Sequence, residues 1–431
     1  MKIAVVGTGY VGLVTGVCFA NSGVDVVCID NNLEKIALLQ KGIIPIFEPG
    51  VEEMMNRAAS LGKISFSTSL SEGLEHADII FLALPTPEGE DGSADLSYVL
   101  GVATEIGKLI NSYKVIVNKS TVPVGTAKKV TELIKNNYKG DFDVVSNPEF
   151  LREGSSVADF QNPERIVIGT KSEKAKKLME ALYDPFTNEH APIVWMDEAS
   201  AEVCKYAANS FLATKITFMN EIANLCDRVG ANVDYVKLGI GYDSRIGHKF
   251  LNAGLGYGGG CFPKDVKALI QTAKENNYDF KILKAVTEVN KNQRQIFYQK
   301  IKDELKTIEG KTFAIWGLSF KPNTDDIREA PALDLINNLL MDNARVRAFD
   351  PEAMNNLRKI YGEKVHYAED MYDVCKGADV LLIVTEWSIF KKPDFEFLKN
   401  NINTKTIFDG RNLFEPEAMS ALGLNYFSVG R

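Results

Sequence analysis

Histidine is scarce in this sequence: only His76, His190, His248 and His366 occur in 431 residues, none placed in a recognisable dehydrogenase motif. Proton transfer therefore falls to lysine, carboxylate or water. The six cysteines, Cys18, Cys28, Cys204, Cys226, Cys261 and Cys375, lack C-x-x-C spacing, which excludes a disulfide framework and fits a reducing cytoplasm. No cluster of His, Cys and carboxylate has metal-ligand spacing, so no metal is expected. No window nears about 18 uninterrupted apolar residues, so no membrane span is expected. A basic excess is missing too. With 57 acidic against 49 basic residues the net charge is −8, leaving no global field for nucleic acid or an anionic membrane. An anionic ligand must meet locally placed Lys or Arg. The strand-like run KIAVVG begins at residue 2 and leaves no room for a signal peptide, so a cytoplasmic protein is expected.

The length fits two or three domains. Residues 1–196 alternate β-branched runs (KIAVVG, DVVCID, ADIIFLALP, YKVIVNKS, FDVVSNPEF) with helical patterns. Near-continuous apolar strands separated by helices predict an α/β, doubly wound parallel sheet of Rossmann type. From Asp197 a run of more than thirty residues without proline reads as a long helix followed by a second one. Residues 197–300 are thus a helical middle domain that links two others and supplies a dimer interface. Across 301–431 the α/β rhythm returns in KTFAIWG, RVRAFD, ADVLLIVTEW and KTIFDG. ADIIFLALP is echoed by ADVLLIVTE, and a strand ending in Asp30 by one ending in Asp350, which predicts a second Rossmann-like domain.

KIAVVGTGYVG places Gly7, Gly9 and Gly12 in G-x-G-x-x-G spacing after a strand, with a helical pattern next and Asp30 closing the following strand. That order of strand, turn, helix, strand and acid is a dinucleotide fingerprint: the helix N-terminus meets a pyrophosphate, and the acid accepts ribose hydroxyls. Asp30 would repel a 2′-phosphate, which favours NAD over NADP. Thr86, Ser120, Thr121 and Glu149 recur at strand ends, where open α/β sheets bind ligands.

GLGYGGGCFPKDVKAL sets Cys261 among five glycines and puts Lys264 and Asp265 just behind it. The glycines would let a ligand approach the main chain, while a helix N-terminus and a cation favour the thiolate. A nucleotide fold needs such a thiol when an aldehyde must be carried on to an acid, because a thiohemiacetal presents a hydride to the cofactor. Lys205 and Asn209, four apart on the long helix, suit an oxyanion hole. In the last domain Gly317 lacks the other fingerprint glycines, whereas Lys321, Arg328 and Arg411 offer basic groups for a second phosphate-bearing ligand. Solvated surface charge is the competing reading for each of the three.

KSTVPVGT, NPEFLREGS, DSRIGHKFLNAGLGYGGGCFPKD and SFKPNTDDIREAP stand in order along nearly the whole chain, and with them the sequence resembles the UDP-glucose 6-dehydrogenase family of nucleotide-sugar dehydrogenases. The resemblance implies oxidation of the C6 alcohol of UDP-glucose to a carboxylate with two NAD. It makes Cys261 the nucleophile, gives Lys205 and Asn209 the oxyanion, and gives Asp265, Thr121 and Glu149 water and protons. NAD would lie on Gly7, Gly9, Tyr10, Val11, Gly12 and Asp30, with Lys35, Thr86, Thr121, Glu153, Lys264 and Arg328 around it. The sugar nucleotide would meet Glu149, Phe150, Leu151, Arg152, Glu153 and Gly154, then Lys205 and Asn209, then Phe250, Leu251, Asn252, Ala253 and Gly254, and finally Gly258, Lys321 and Arg411. Arg245 would reach into the partner's site of a homodimer. A GDP-mannose or other nucleotide-sugar dehydrogenase is the alternative enzyme, and a binding protein without catalysis the alternative of another class.

Overall fold

The computed structural model describes residues 1–89, 91–187 and 191–431. They form two compact units, Met1–Ala208 with Lys267–Tyr278, and Asn209–Val266 with Asp279–Arg431.

The first unit is built on eight strands: β1 (Lys2–Val6), β2 (Asp25–Ile29), β3 (Ile64–Ser67), β4 (Ile79–Leu82), β5 (Val115–Asn118), β6 (Asp143–Ser146), β7 (Ile166–Gly169) and β8 (Ile193–Met196). Their order is β3-β2-β1-β4-β5-β6-β7-β8, and the first six reproduce the Rossmann arrangement. Alternation along β1 sends Ile3 and Val5 into one buried cluster and Ala4 and Val6 into another, so both faces of the sheet are covered. Helix α1 (Tyr10–Asn21) covers one face with Leu13, Val14 and Val17, and helix α2 (Thr126–Asn137) covers the other with Ala127, Val130 and Ile134.

The expected parallel sheet departs from that pattern at one place: β6 and β7 pair antiparallel, Ser146 opposite Gly169. The link between them holds only a short helix, Ser156–Gln161, and spends the rest of its length on the NPEFLREG loop. A parallel return needs a crossover, usually a full helix packed across the sheet.

Helix α3 (Glu198–Val229) is a single 32-residue helix, followed by α4 (Val233–Gly241). Helix α5 (Phe262–Glu275) begins directly after Cys261, and α6 (Lys281–Leu305) follows it.

In the second unit β9 (Thr312–Trp316), β10 (Arg345–Phe349), β11 (Val365–Tyr367), β12 (Val380–Ile383), β13 (Thr406–Asp409) and β14 (Asn425–Phe427) form an all-parallel sheet in the order β11-β10-β9-β12-β13-β14. Read from β9, this is the same order as in the first unit. Phe313 and Ile315 face one core and Ala314 and Trp316 the other, and helix α7 (Pro331–Met341) packs Leu335, Ile336 and Leu339 into the first of these.

Candidate active site

The glycine turn after β1 has the geometry a dinucleotide needs. A Cβ on Gly7 would sit 2.3 Å from the Ala83 carbonyl oxygen, and one on Gly12 would sit 1.9 Å from the Gly7 oxygen. Gly9 has nothing within 4 Å of a Cβ position, so its main chain is open to a ligand. Gly9 caps α1 without a side-chain bond, which leaves the first-turn N–H groups of Tyr10, Val11 and Gly12 for a phosphate. Asp30 stands at the end of β2. Its Oδ2 accepts from the Thr8 N–H at 2.9 Å, the Thr8 hydroxyl at 2.8 Å and Lys35 Nζ at 3.2 Å, and its Oδ1 from the Asn32 N–H. Burial acts to raise this carboxyl, but those donors and Lys35 outweigh it and hold the group below its usual range. A dinucleotide therefore meets an ionised acid, an open backbone and a helix end, which fits NAD.

Asp350, the echo of Asp30, is fully buried and already spent. It accepts from the N–H groups of Leu318, Ser319, Glu352 and Ala353 and from Trp387 Nε1. The second unit therefore offers no ribose-binding acid at this position.

The remaining site residues of the first unit gather at the strand ends. Glu149 and Lys205 form a buried ion pair at 3.1 Å, each no more than 6% exposed. Glu149 also accepts from the Leu151 N–H, and the Phe150 ring lies 5.1 Å from Lys205 Nζ. The Thr86 hydroxyl donates to the Thr121 carbonyl at 3.0 Å. Arg152 is exposed and bound through Nε to Asp159 at 2.9 Å.

Three residues not foreseen from sequence join this set. Glu48, buried, accepts from the N–H groups of Gly154 and Ser156 and so pins the loop that carries Glu153. Lys119, buried, donates to Asn147 Oδ1 at 3.0 Å and to the Tyr183 hydroxyl at 3.1 Å. Burial drives its pKa down to about 7, the nearby Lys205 adds to the effect, and Glu149 opposes it. Glu202, buried, accepts from the N–H groups of Gly125 and Ala127 at the start of α2 and from the Ser146 hydroxyl. Its place three residues before Lys205 on α3 was the available signal.

In the second unit Cys261 is exposed, and its carbonyl accepts the Asp265 N–H in the first turn of α5. Asp265 is buried: Asn209 Nδ2 donates to one oxygen at 2.6 Å and Lys264 Nζ to the other at 2.7 Å. Burial raises the thiols of Cys18, Cys28 and Cys375, each pushed up to about 12. Those three are inert packing.

At each of the five glycines around Cys261 (Gly254, Gly256, Gly258, Gly259 and Gly260) a Cβ would come within 2.8 Å of another part of the chain, so the space beside them is not left to a ligand as expected. A Cβ on Gly258 would strike the Glu329 carbonyl oxygen at 2.2 Å, and one on Gly260 the Arg328 guanidinium at 2.4 Å. These glycines admit the protein's own chain. Arg328 is itself exposed and paired with Asp326, as Arg245 is with Asp243.

The Phe250–Gly254 segment is held firmly. Leu251 and Ala253 are buried, Gly254 N–H donates to Asn220, and its carbonyl accepts from Gln293. Phe250 adopts a left-handed φ of 64°, costly for a bulky residue and characteristic of functional loops. Asn252 is exposed. Arg411 donates through Nε to the Val384 carbonyl at 2.7 Å and through Nη2 to the Phe320 carbonyl, next to Lys321. Lys321, Arg411 and Gly254 thus share one neighbourhood.

His190 lies outside the described residues; of the others, His248 packs edge-on against Tyr242. Among the described residues no group of three or more His, Cys, Asp or Glu could hold a metal, and no helix is long and apolar enough to cross a membrane.

The chain has counterparts among known proteins over its whole length. The profiles of the UDP-glucose/GDP-mannose dehydrogenase family match its NAD binding domain at residues 1–187, its central domain at 199–292 and its UDP binding domain at 314–416. The UDP-glucose 6-dehydrogenase TuaD of Bacillus subtilis is 49% identical over 100% of this chain and 93% of its own length. The UDP-glucose 6-dehydrogenase of Pseudomonas aeruginosa is 45% identical over 100% and 98%. A solved UDP-glucose dehydrogenase from the hyperthermophilic archaeon Pyrobaculum islandicum superposes with a TM-score of 0.92 at 38% identity, covering 99% of this chain and 96% of that one. With motifs, fold and relatives in agreement over its full length, the chain belongs to the UDP-glucose/GDP-mannose dehydrogenase family.

Proposed function

We propose that this protein oxidises the C6 alcohol of UDP-glucose to the carboxylate of UDP-glucuronate with two NAD. The carrying observation is Cys261, exposed at the start of α5 while Cys18, Cys28, Cys226 and Cys375 are buried. NAD bound at the Gly7–Gly12 turn supplies the hydride acceptor, with Lys35, Thr86, Thr121, Glu153, Lys264 and Arg328 around it. Residues 1–196 hold the cofactor, and residues 301–431 hold the sugar nucleotide through Lys321 and Arg411 together with the Phe250–Gly254 segment of the middle region.

In the first oxidation the hydride of C6 would pass to bound NAD and the proton of its hydroxyl to water, which leaves an aldehyde. Cys261 Sγ then adds to the carbonyl carbon, forming a C–S bond, while Lys205 and Asn209 donate N–H to the oxygen that gains charge. Loss of the hydroxyl proton and a second hydride gives the thioester. Asp265, Thr121 and Glu149 orient a water and take its proton as it attacks; the C–S bond breaks and the thiolate returns. Asp265 suits that task because Asn209 and Lys264 fix both its oxygens.

A second copy of the chain completes the assembly in this reading. Phe211, Phe218 and Leu225 are exposed at seven-residue spacing along α3, Tyr235 and Leu238 are exposed on α4, and so is Tyr242 just after it. An apolar stripe of this kind fits a self-complementary helical interface, and Arg245 would then reach the partner. A cytoplasmic location accords with cysteines that form no disulfide.

Turnover with UDP-glucose, GDP-mannose and N-acetylated sugar nucleotides, read as NADH formation, tests the substrate assignment. NADH from another donor but none from UDP-glucose would overturn it.

A further inference from the structure

Beside the Lys205–Glu149 pair the first unit contains a small, partly open cavity lined by Asn118, Ser120, Ser146, Glu202 and Lys205 together with two apolar side chains. It offers about 10 Å³ to the centre of a water molecule, about the minimum that a single water requires. Asn118, only 2% exposed at the end of β5, has neither its Oδ1 nor its Nδ2 bonded to any group among the described residues. A buried amide left so is costly, and a water with several polar partners relieves that cost.

We propose that this cavity is a built site for one ordered water that joins Asn118 and Glu202 to Lys205, making Asn118 and Glu202 positioning residues for that lysine. The water accepts an N–H from Lys205 and one from Asn118, and donates to a Glu202 oxygen. Glu202 is held rigidly for this purpose by the N–H groups of Gly125 and Ala127 and by Ser146. Lys205 thereby gains an acceptor in addition to Glu149 at 3.1 Å, which restricts where its remaining N–H groups point. Burial, only partly offset by those three donors and reinforced by Glu198, keeps the Glu202 carboxyl above its ordinary range, so a further donor to its oxygens offsets part of the cost of its charge. This water is distinct from the one that thioester hydrolysis consumes. The catalytic consequence rests on the reading given under Proposed function.

Two measurements separate the site from that reading. A crystal structure of the unaltered protein should show an ordered water within hydrogen-bond distance of Asn118 and Glu202, whatever substrate the protein accepts; a cavity without such a water would overturn the proposal. Asn118→Leu, nearly isosteric and apolar, should lower kcat with UDP-glucose about tenfold, the effect of one hydrogen bond, with KM changed less than about twofold. Asn118→Ser, which keeps a hydroxyl and room for a second water, should stay within about threefold of the parent. Parent-like kcat in folded Asn118→Leu would overturn the positioning role. Should Asn118→Leu fail to fold, the crystallographic result on the unaltered protein still decides whether the water exists. Failure of the unaltered protein to turn over UDP-glucose, with the water present, would refute only the substrate assignment.

Discussion

Lys119 is a fully enclosed amine whose burial can be read out as a pH dependence of stability. Among the described residues its ammonium donates to Asn147 Oδ1 and the Tyr183 hydroxyl, with the Tyr183 ring 5.6 Å away. Burial, with Lys205 adding to it and Glu149 opposing, lowers its pKa from 10.5 in an open chain to about 7. Between those values the unfolded chain binds a proton that the folded protein does not, so the folded state gains stability as pH rises through the window. The full gap corresponds to about 5 kcal/mol, of which about 2 kcal/mol develops between about pH 7 and pH 9. Lys119→Met removes the titrating group and keeps the apolar stem. Denaturant unfolding of parent and variant at several pH values should show the parent gaining about 2 kcal/mol on the variant across that interval. A difference that stays flat to within about 0.5 kcal/mol would mean the amine is hydrated or remains charged in the folded protein.

The other expectations concern the chemistry and the assembly. Cys261→Ser should reduce turnover by at least about 1,000-fold, while UDP-glucose binding measured by calorimetry stays nearly unchanged; parent-like turnover would exclude a covalent intermediate. For Lys205→Ala a fall in kcat of about 100-fold or more is expected from loss of an oxyanion donor, with a much smaller change in KM. Asp30→Ala should raise the KM for NAD about tenfold and narrow the preference over NADP, and unaltered cofactor kinetics would contradict the ribose contact. Paired Phe211→Asp and Phe218→Asp changes should weaken self-association at least about 100-fold in sedimentation velocity, whereas an unshifted dimer would place the interface elsewhere.

Both the dinucleotide turn and the thiol loop could be read before any coordinates, because each is a demand on backbone or on local sequence. Gly7 and Gly12 are required by carbonyl oxygens within 2.3 Å of where a Cβ would stand, and such a demand leaves a fixed spacing in the sequence. Cys261 precedes a helix whose first turn is spelled by its own neighbours. Glu48, Lys119 and Glu202 left no comparable trace, since their partners lie far away in the chain: Glu48 meets Gly154 and Ser156, and Glu202 meets Gly125 and Ala127. The same limit explains the loop glycines. Sequence says that something comes close to Gly258 and Gly260, but only the fold reveals that it is Glu329 and Arg328. It also explains β7, whose antiparallel pairing was set by a connection too poor in helix to cross the sheet.

The stoichiometry of NADH formed per UDP-glucose consumed, with the sugar product identified, tests the central chemical claim most directly. Two equivalents accompanied by a C6 carboxylate are expected if Cys261 carries the aldehyde on to the acid. One equivalent with an accumulating aldehyde would contradict that role.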